Sequence, residues 1–164
     1  MNEMKSAGSK SAQGQNFNQT MSLITTSGTL ELYVLALDDG ILCVLPQSLV
    51  LEIIELDVAQ ANQKHLVWQG KNIPLVSVST AKKTHALVIE GMEDHLQYAF
   101  ALTAAPEARK IRISAMKDID SVSDALAKHA ANHVVYQYVQ HEDQVWLIPD
   151  LELIERGLKE GITV

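Results

Sequence analysis

The chain has 164 residues, of which 47% are hydrophobic and 5% aromatic, and its formal net charge is −7. This length and apolar content suit one domain with a core built from Val, Ile, Leu and Ala. The acidic balance and the lack of clustered Lys and Arg argue against nucleic-acid binding and against docking on anionic lipid. Cys43 is the single cysteine, so no intrachain disulfide can form, which favours a reducing compartment.

Localisation signals are read from the apolar runs of the chain. No run approaches the roughly 18 residues that a membrane helix needs, and the N-terminus has no apolar signal core. We therefore expect a cytoplasmic protein without direct membrane insertion.

The N-terminal segment, residues 1–27, is rich in Ser, Gln, Asn, Thr and Gly. It has too little apolar surface to offset the entropy of ordering, so the sequence predicts a disordered tail. Residues 28–164 are then expected to form the single folded domain.

Hairpins dominate the rest of the predicted structure. Four pairs of apolar, strand-like segments are separated by short polar turns, at residues 38–40, 69–71, 90–94 and 141–143. Gly40 can take the positive φ that a tight hairpin needs. Extended segments are also predicted at residues 50–56 and 109–114, with a polar linker at residues 57–64.

The C-terminal third adds two helical signals. Residues 118–131 have apolar residues at helical spacing and a high Ala content, although strand structure is also compatible with them. Asp150 can cap a short last helix that Gly157 would end. Short strands at regular spacing predict an all-β barrel or a pair of barrels. An Ile-Pro step follows a hairpin strand at residues 73–74 and again at residues 148–149, which favours the pair.

Two motifs in a fixed order carry a resemblance to a known family. The first is Leu45-Pro46 followed by the sequence VLEI at residues 50–53, and the second is WQGKNIPLV at residues 68–76. In this order they resemble the CheW-like adaptor domain of bacterial chemosensory arrays. Gln69 stands where the family usually has Arg, and the linker before Trp68 is short. In these departures the chain resembles the auxiliary adaptors of type IV pilus twitching-motility systems.

The resemblance implies a fold and a function. It implies two small β-barrels packed on a shared apolar interface, a short C-terminal helix and no catalysis or cofactor. The expected function is to couple chemoreceptors to a CheA-like histidine kinase. The expected partners are the regulatory domain of that kinase and the cytoplasmic hairpin of the receptor, at membrane-associated arrays.

The same resemblance supplies the candidate contact residues, which are Val50, Glu52, Gln69, Gly70 and Ile73. Glu52 should point away from Ile53 on an alternating strand, and as an exposed residue it should contribute little to folding. The turn at Gln69 and Gly70 is an exposed hairpin tip, a place where contact surfaces often lie.

Two other classes of function stay open. His129 and His133 have the i, i+4 spacing of a helical metal site, and His141 could complete a metal-dependent hydrolase. The residue after His129 is Ala130 rather than the Glu of a zincin, so no metal ligand is assigned. A β-barrel module that binds a small ligand between its lobes is the remaining alternative.

Overall fold

The computed structural model describes residues 28–38, 40–78, 80–92, 96–119 and 135–160. These residues form eleven strands, two α-helices and two 3-10 turns. In chain order they are β1 (Thr29–Asp38), β2 (Ile41–Pro46), η1 (Gln47–Leu49), β3 (Val50–Glu55), α1 (Val58–Ala61), β4 (His65–Trp68), β5 (Lys71–Val76), β6 (His85–Glu90), β7 (Gln97–Leu102), β8 (Glu107–Arg112), η2 (Ile113–Ala115), β9 (Met116–Ile119), β10 (Val135–His141), β11 (Gln144–Pro149) and α2 (Leu151–Lys159). The all-β prediction with a short C-terminal helix is confirmed. The predicted disordered tail lies outside the described residues.

The strands form two sheets with related topologies. One has the order β8-β1-β2-β11-β10-β9 and the other β3-β6-β7-β5-β4. Each sheet joins two antiparallel hairpins through one parallel pair, β11 beside β2 in the first sheet and β5 beside β7 in the second. The two Ile-Pro steps lie on β11 and β5, the strands that make these parallel pairs. The sequence repeat therefore corresponds to a structural repeat.

Both sheets are strongly curled. The outer strands β8 and β9 of the six-stranded sheet are joined by η2 alone. In a flat sheet they would lie about 24 Å apart, but the chain from Arg112 to Met116 spans at most about 14 Å. In the five-stranded sheet a hydrogen bond joins a side chain of β3 to one of β4, the two outer strands. We call the two curled sheets the six-stranded and five-stranded barrels.

The buried side chains follow the period-two alternation of the strands. On β6, Ala86 and Val88 pack inside the five-stranded barrel, whereas Leu87 and Ile89 pack against the six-stranded barrel. Strand β1 divides its side chains in the same way between the interior of the six-stranded barrel and the interface. The shared interface takes side chains from both sheets and from α2, which explains why the central strands are apolar on both faces.

Two local predictions are wrong. Residues 57–64, predicted as a polar linker, contain α1, because Asp57 and Gln60 form a reciprocal capping box. Gly157 does not end the last helix, which continues to Lys159. The predicted cap is confirmed, since the Leu153 backbone N–H donates to Asp150 Oδ1 at 3.0 Å. In the part of the chain that is described, no helix has both the length and the apolar character needed to cross a bilayer.

Candidate functional site

The two sequence motifs meet at one end of the five-stranded barrel. Glu52 lies near the start of β3, and Gln69 and Gly70 form the turn between β4 and β5. Val50 is half-buried against the interface between the barrels, and Ile73 is buried inside the five-stranded barrel. Glu52, Gln69 and Gly70 are therefore at the surface, whereas Ile73 can only affect a partner through its neighbours. We call this end of the barrel the rim.

A hydrogen bond between Trp68 and Glu52 organises the rim. Trp68 is 7% exposed, and its Nε1–H donates to Glu52 Oε1 at 2.8 Å. The two residues lie on the outer strands of the sheet, so this bond closes the five-stranded barrel at its rim. Glu52 does point away from Ile53, as expected. However, its carboxylate satisfies a buried indole, so the expectation that Glu52 contributes little to folding has to be revised.

The turn itself has the backbone of a tight hairpin. Gln69 has φ 49° and Gly70 has φ 77°. Positive φ at both central residues matches the type I′ turn, whose twist fits the flanking strands. Such a turn is rigid and exposes the Gln69 side chain at its tip.

A chain of polar contacts continues around the rim from Lys71. Its ammonium lies 5.6 Å from the centroid of the Trp68 ring and donates to Gln97 Oε1. Gln97 Nε2 lies 3.5 Å from Glu90 Oε1 on the neighbouring strand. The rim thus combines a buried aromatic ring with charged groups that contact side chains of neighbouring strands.

Exposed apolar side chains lie beside the place where β3 and β4 close the five-stranded barrel. Leu51 and Ile53 are 43% and 36% exposed on β3, and Val67 is 72% exposed on β4. Alternation places them on the outer face, because Glu52 and Trp68 occupy the inner one. We call these three residues the seam patch. The strand alternation in the sequence contained this signal, since Leu51 and Ile53 flank Glu52, but the contact of β3 with β4 could not be read from it.

His141, the described member of the proposed metal site, is buried and stacks on Trp146. The two ring centroids lie 4.9 Å apart with an interplanar angle of 13°. His129 and His133 lie outside the described residues. Among the residues that the structure does describe, no group of three or more His, Cys, Asp or Glu side chains could hold a metal ion.

Two further ionisable groups, Cys43 and Tyr98, are buried in the apolar core between the barrels. Burial raises the pKa of the Cys43 thiol far above its usual range, so Cys43 acts as a small buried hydrophobe. Tyr98 donates to Glu155 Oε2 at 2.9 Å, and burial, followed by the charge of Glu155, raises the pKa of its phenol.

The comparisons with known proteins add one structural likeness. No protein-family model matches the chain, and no curated protein matches it. Among solved structures, it is similar to the scaffolding protein TtCheW from Thermoanaerobacter tengcongensis, with a TM-score of 0.49 and 14% sequence identity. The alignment covers 73% of this chain and 87% of that chain.

Proposed function

We propose that this chain is a non-enzymatic adaptor that couples chemoreceptors to a CheA-like histidine kinase. The rim of the five-stranded barrel, with Glu52, Gln69 and Gly70 at its surface and Val50 and Ile73 behind them, is the proposed contact region. Residues 28–164 would act as one domain of two lobes, located in the cytoplasm at receptor arrays.

One observation carries the proposal. The two motifs that resemble the CheW-like family are separated in sequence, yet the 2.8 Å hydrogen bond from Trp68 to Glu52 joins them. The family resemblance implied two small barrels on a shared apolar interface, and the described strands form two curled sheets with such an interface. Neither feature was needed to recognise the motifs, so they support the adaptor function independently.

The seam patch gives the proposed contact region its binding energy. Transient protein interfaces have an apolar centre with a polar rim. Leu51, Ile53 and Val67 supply exposed apolar area beside the charged side chains of Glu52 and Lys71. A kinase or receptor surface with apolar side chains facing the seam patch and charges complementary to Glu52 and Lys71 could cover this region.

A finer part of the proposal concerns the pathway. Gln69 replaces the usual arginine at the tip of the turn, and the segment between β3 and β4 is short. These departures support an auxiliary adaptor of a type IV pilus system that controls twitching motility, rather than the main flagellar adaptor.

Calorimetric titration tests the proposal with matched variants. Wild type is titrated with the kinase regulatory domain and with the receptor hairpin from the same genome. Val67→Ser should weaken binding to at least one of them by about tenfold, since it removes roughly 1.4 kcal/mol of apolar burial. Leu153→Ser is the control, because Leu153 is 43% exposed but lies on α2, outside the seam patch.

The possible outcomes test the adaptor function and the contact region separately. Failure of the folded wild-type protein to bind either partner would refute the adaptor function. Equal binding by wild type, Val67→Ser and Leu153→Ser would keep the function and refute the rim as the contact region. Gln69→Arg, which restores the usual charge, should preserve or strengthen binding.

A further inference from the structure

A second surface lies at the opposite end of the five-stranded barrel. Strand β4 runs from His65 to Trp68 and β5 from Lys71 to Val76, so the start of β4 and the end of β5 lie away from the rim. An open groove of about 1220 Å³ is found there. Its apolar lining residues are Leu56, Val58, Ala61, Pro74, Leu75, Val76, Ala81 and Leu158.

The charge of the groove is opposite to that of the whole chain. Lys64, Lys82 and Lys83 line it, together with Asp57 as the acidic residue. The carboxylate of Asp57 is already engaged, since Oδ1 accepts the Gln60 backbone N–H at 2.7 Å. Lys83 interacts with the charge of Asp38, so the exposed Lys64 and Lys82 give this groove its positive balance in a chain of net charge −7.

The lysines have different roles. Lys83 is 5% exposed, and its Nζ donates to the Ala81 carbonyl oxygen at 2.7 Å, which fixes the loop that forms one wall. Lys64 and Lys82 are exposed, and neither forms an ion pair with another residue in the described ranges. Their charges are therefore available to a partner at the mouth of the groove.

The size and the lining define the kind of partner. Small-molecule sites are usually enclosed and measure about 300–1,000 Å³, whereas this groove is larger and open. A groove with an apolar lining and cationic side chains fits an amphipathic peptide segment whose polar face is acidic. The chain's own residues 1–27 contain one Glu and two Lys, so charge does not favour them as the occupant.

We propose that this groove docks an acidic amphipathic segment of a partner protein. The proposal is independent of the adaptor function, because the groove and the rim lie at opposite ends of the barrel. It would give the chain two separate contact surfaces, one apolar at the seam patch and one cationic at the groove.

Fluorescence anisotropy tests this with a designed probe. The probe is a labelled amphipathic peptide with Leu on one face and Glu on the other, and its counterpart carries Lys in place of Glu. The full-length protein should bind the acidic probe and not the basic one. The double variant Lys64→Glu/Lys82→Glu should weaken binding at least tenfold, and added salt should weaken wild-type binding as well.

A matched control carries the same change in net charge. Lys110→Glu/Lys117→Glu alters two exposed lysines of the six-stranded barrel and should change the affinity less than twofold. Equal weakening by both double variants, equal binding of both probes, or no saturable binding would overturn the proposal. So would wild-type self-association, seen by sedimentation, that Lys64→Glu/Lys82→Glu abolishes, since the occupant would then be a second copy. Kinase and receptor binding by Lys64→Glu/Lys82→Glu should stay unchanged.

Discussion

Glu155 offers the sharpest test of how the last helix is held to the barrels. It is fully buried on α2. Its Oε2 accepts the Tyr98 hydroxyl at 2.9 Å, and the Met92 backbone N–H lies 2.9 Å from Oε1 and 3.0 Å from Oε2. A Cβ on Gly91 would lie 3.0 Å from Oε1. The carboxylate is therefore packed tightly against the chain that follows β6.

The cost of Glu155→Ala follows from the groups that it leaves behind. A hydrogen bond to a charged acceptor contributes about 1.5–3 kcal/mol, and the substitution removes the acceptor of both Tyr98 and Met92. We expect a loss of about 3–5 kcal/mol in the free energy of unfolding, or a Tm lower by roughly 10 °C. Glu155→Gln keeps the shape and one acceptor oxygen, and it should cost less.

Urea denaturation followed by tryptophan fluorescence measures these changes. Glu152→Ala on the same helix is the control, because its carboxylate pairs with Arg156 at 3.2 Å in a surface i, i+4 contact. Such a pair contributes about 0.3–0.5 kcal/mol. A loss below about 1 kcal/mol for Glu155→Ala, or an equal loss for Glu152→Ala, would refute this role of the buried carboxylate.

Three further predictions concern Tyr98, Cys43 and the hydrogen bond from Trp68 to Glu52. The pKa of Tyr98 is raised above its ordinary value of about 10, so its contribution to stability is present below about pH 10 and is lost as the pH rises through the raised pKa. Urea titrations at increasing alkaline pH should show this decline in the free energy of unfolding, and Tyr98→Phe should make the decline smaller. Cys43, whose thiol pKa is raised by burial, should resist iodoacetamide in the folded protein and react in denaturant; rapid labelling without denaturant would contradict its burial. Glu52→Lys should lower the free energy of unfolding by about 1–2 kcal/mol, because it leaves the Trp68 indole without its acceptor. A double-mutant cycle with Trp68→Phe should show coupling between the two residues, whereas additive losses would refute the closing role of this bond.

The secondary structure was largely predictable because local signals agreed with it. Tight turns such as the one at Gly40 set the hairpins, and apolar alternation set the strands between them. Val44, Val76, Ile89 and Phe100 lie in strongly apolar strand patterns of the sequence, and all four are buried. The capping box at Asp57 was present in the sequence as well, but a helix of one turn gives no apolar periodicity.

The pairing between distant strands was less predictable. Nothing local shows that β11 lies beside β2 or that β3 meets β4, since these contacts depend on how whole hairpins pack. The candidate site was likewise predictable only in part. The motifs placed Glu52 and Gln69 on suitable elements, but the bond from Trp68 needed the closed barrel. Glu155 interrupts the apolar face of α2 between Leu151 and Leu158, and only the structure identifies Tyr98 as its partner.

Receptor-dependent retention of the kinase tests the adaptor function most directly. Receptor cytoplasmic domains are arrayed on vesicles, mixed with the CheA-like kinase from the same genome, and sedimented with and without this protein. We expect the kinase to sediment with the receptor vesicles when wild type or Leu153→Ser is present, and much less with Val67→Ser. Kinase retention that does not depend on this protein, or no retention with any variant, would contradict the proposed coupling of receptor to kinase.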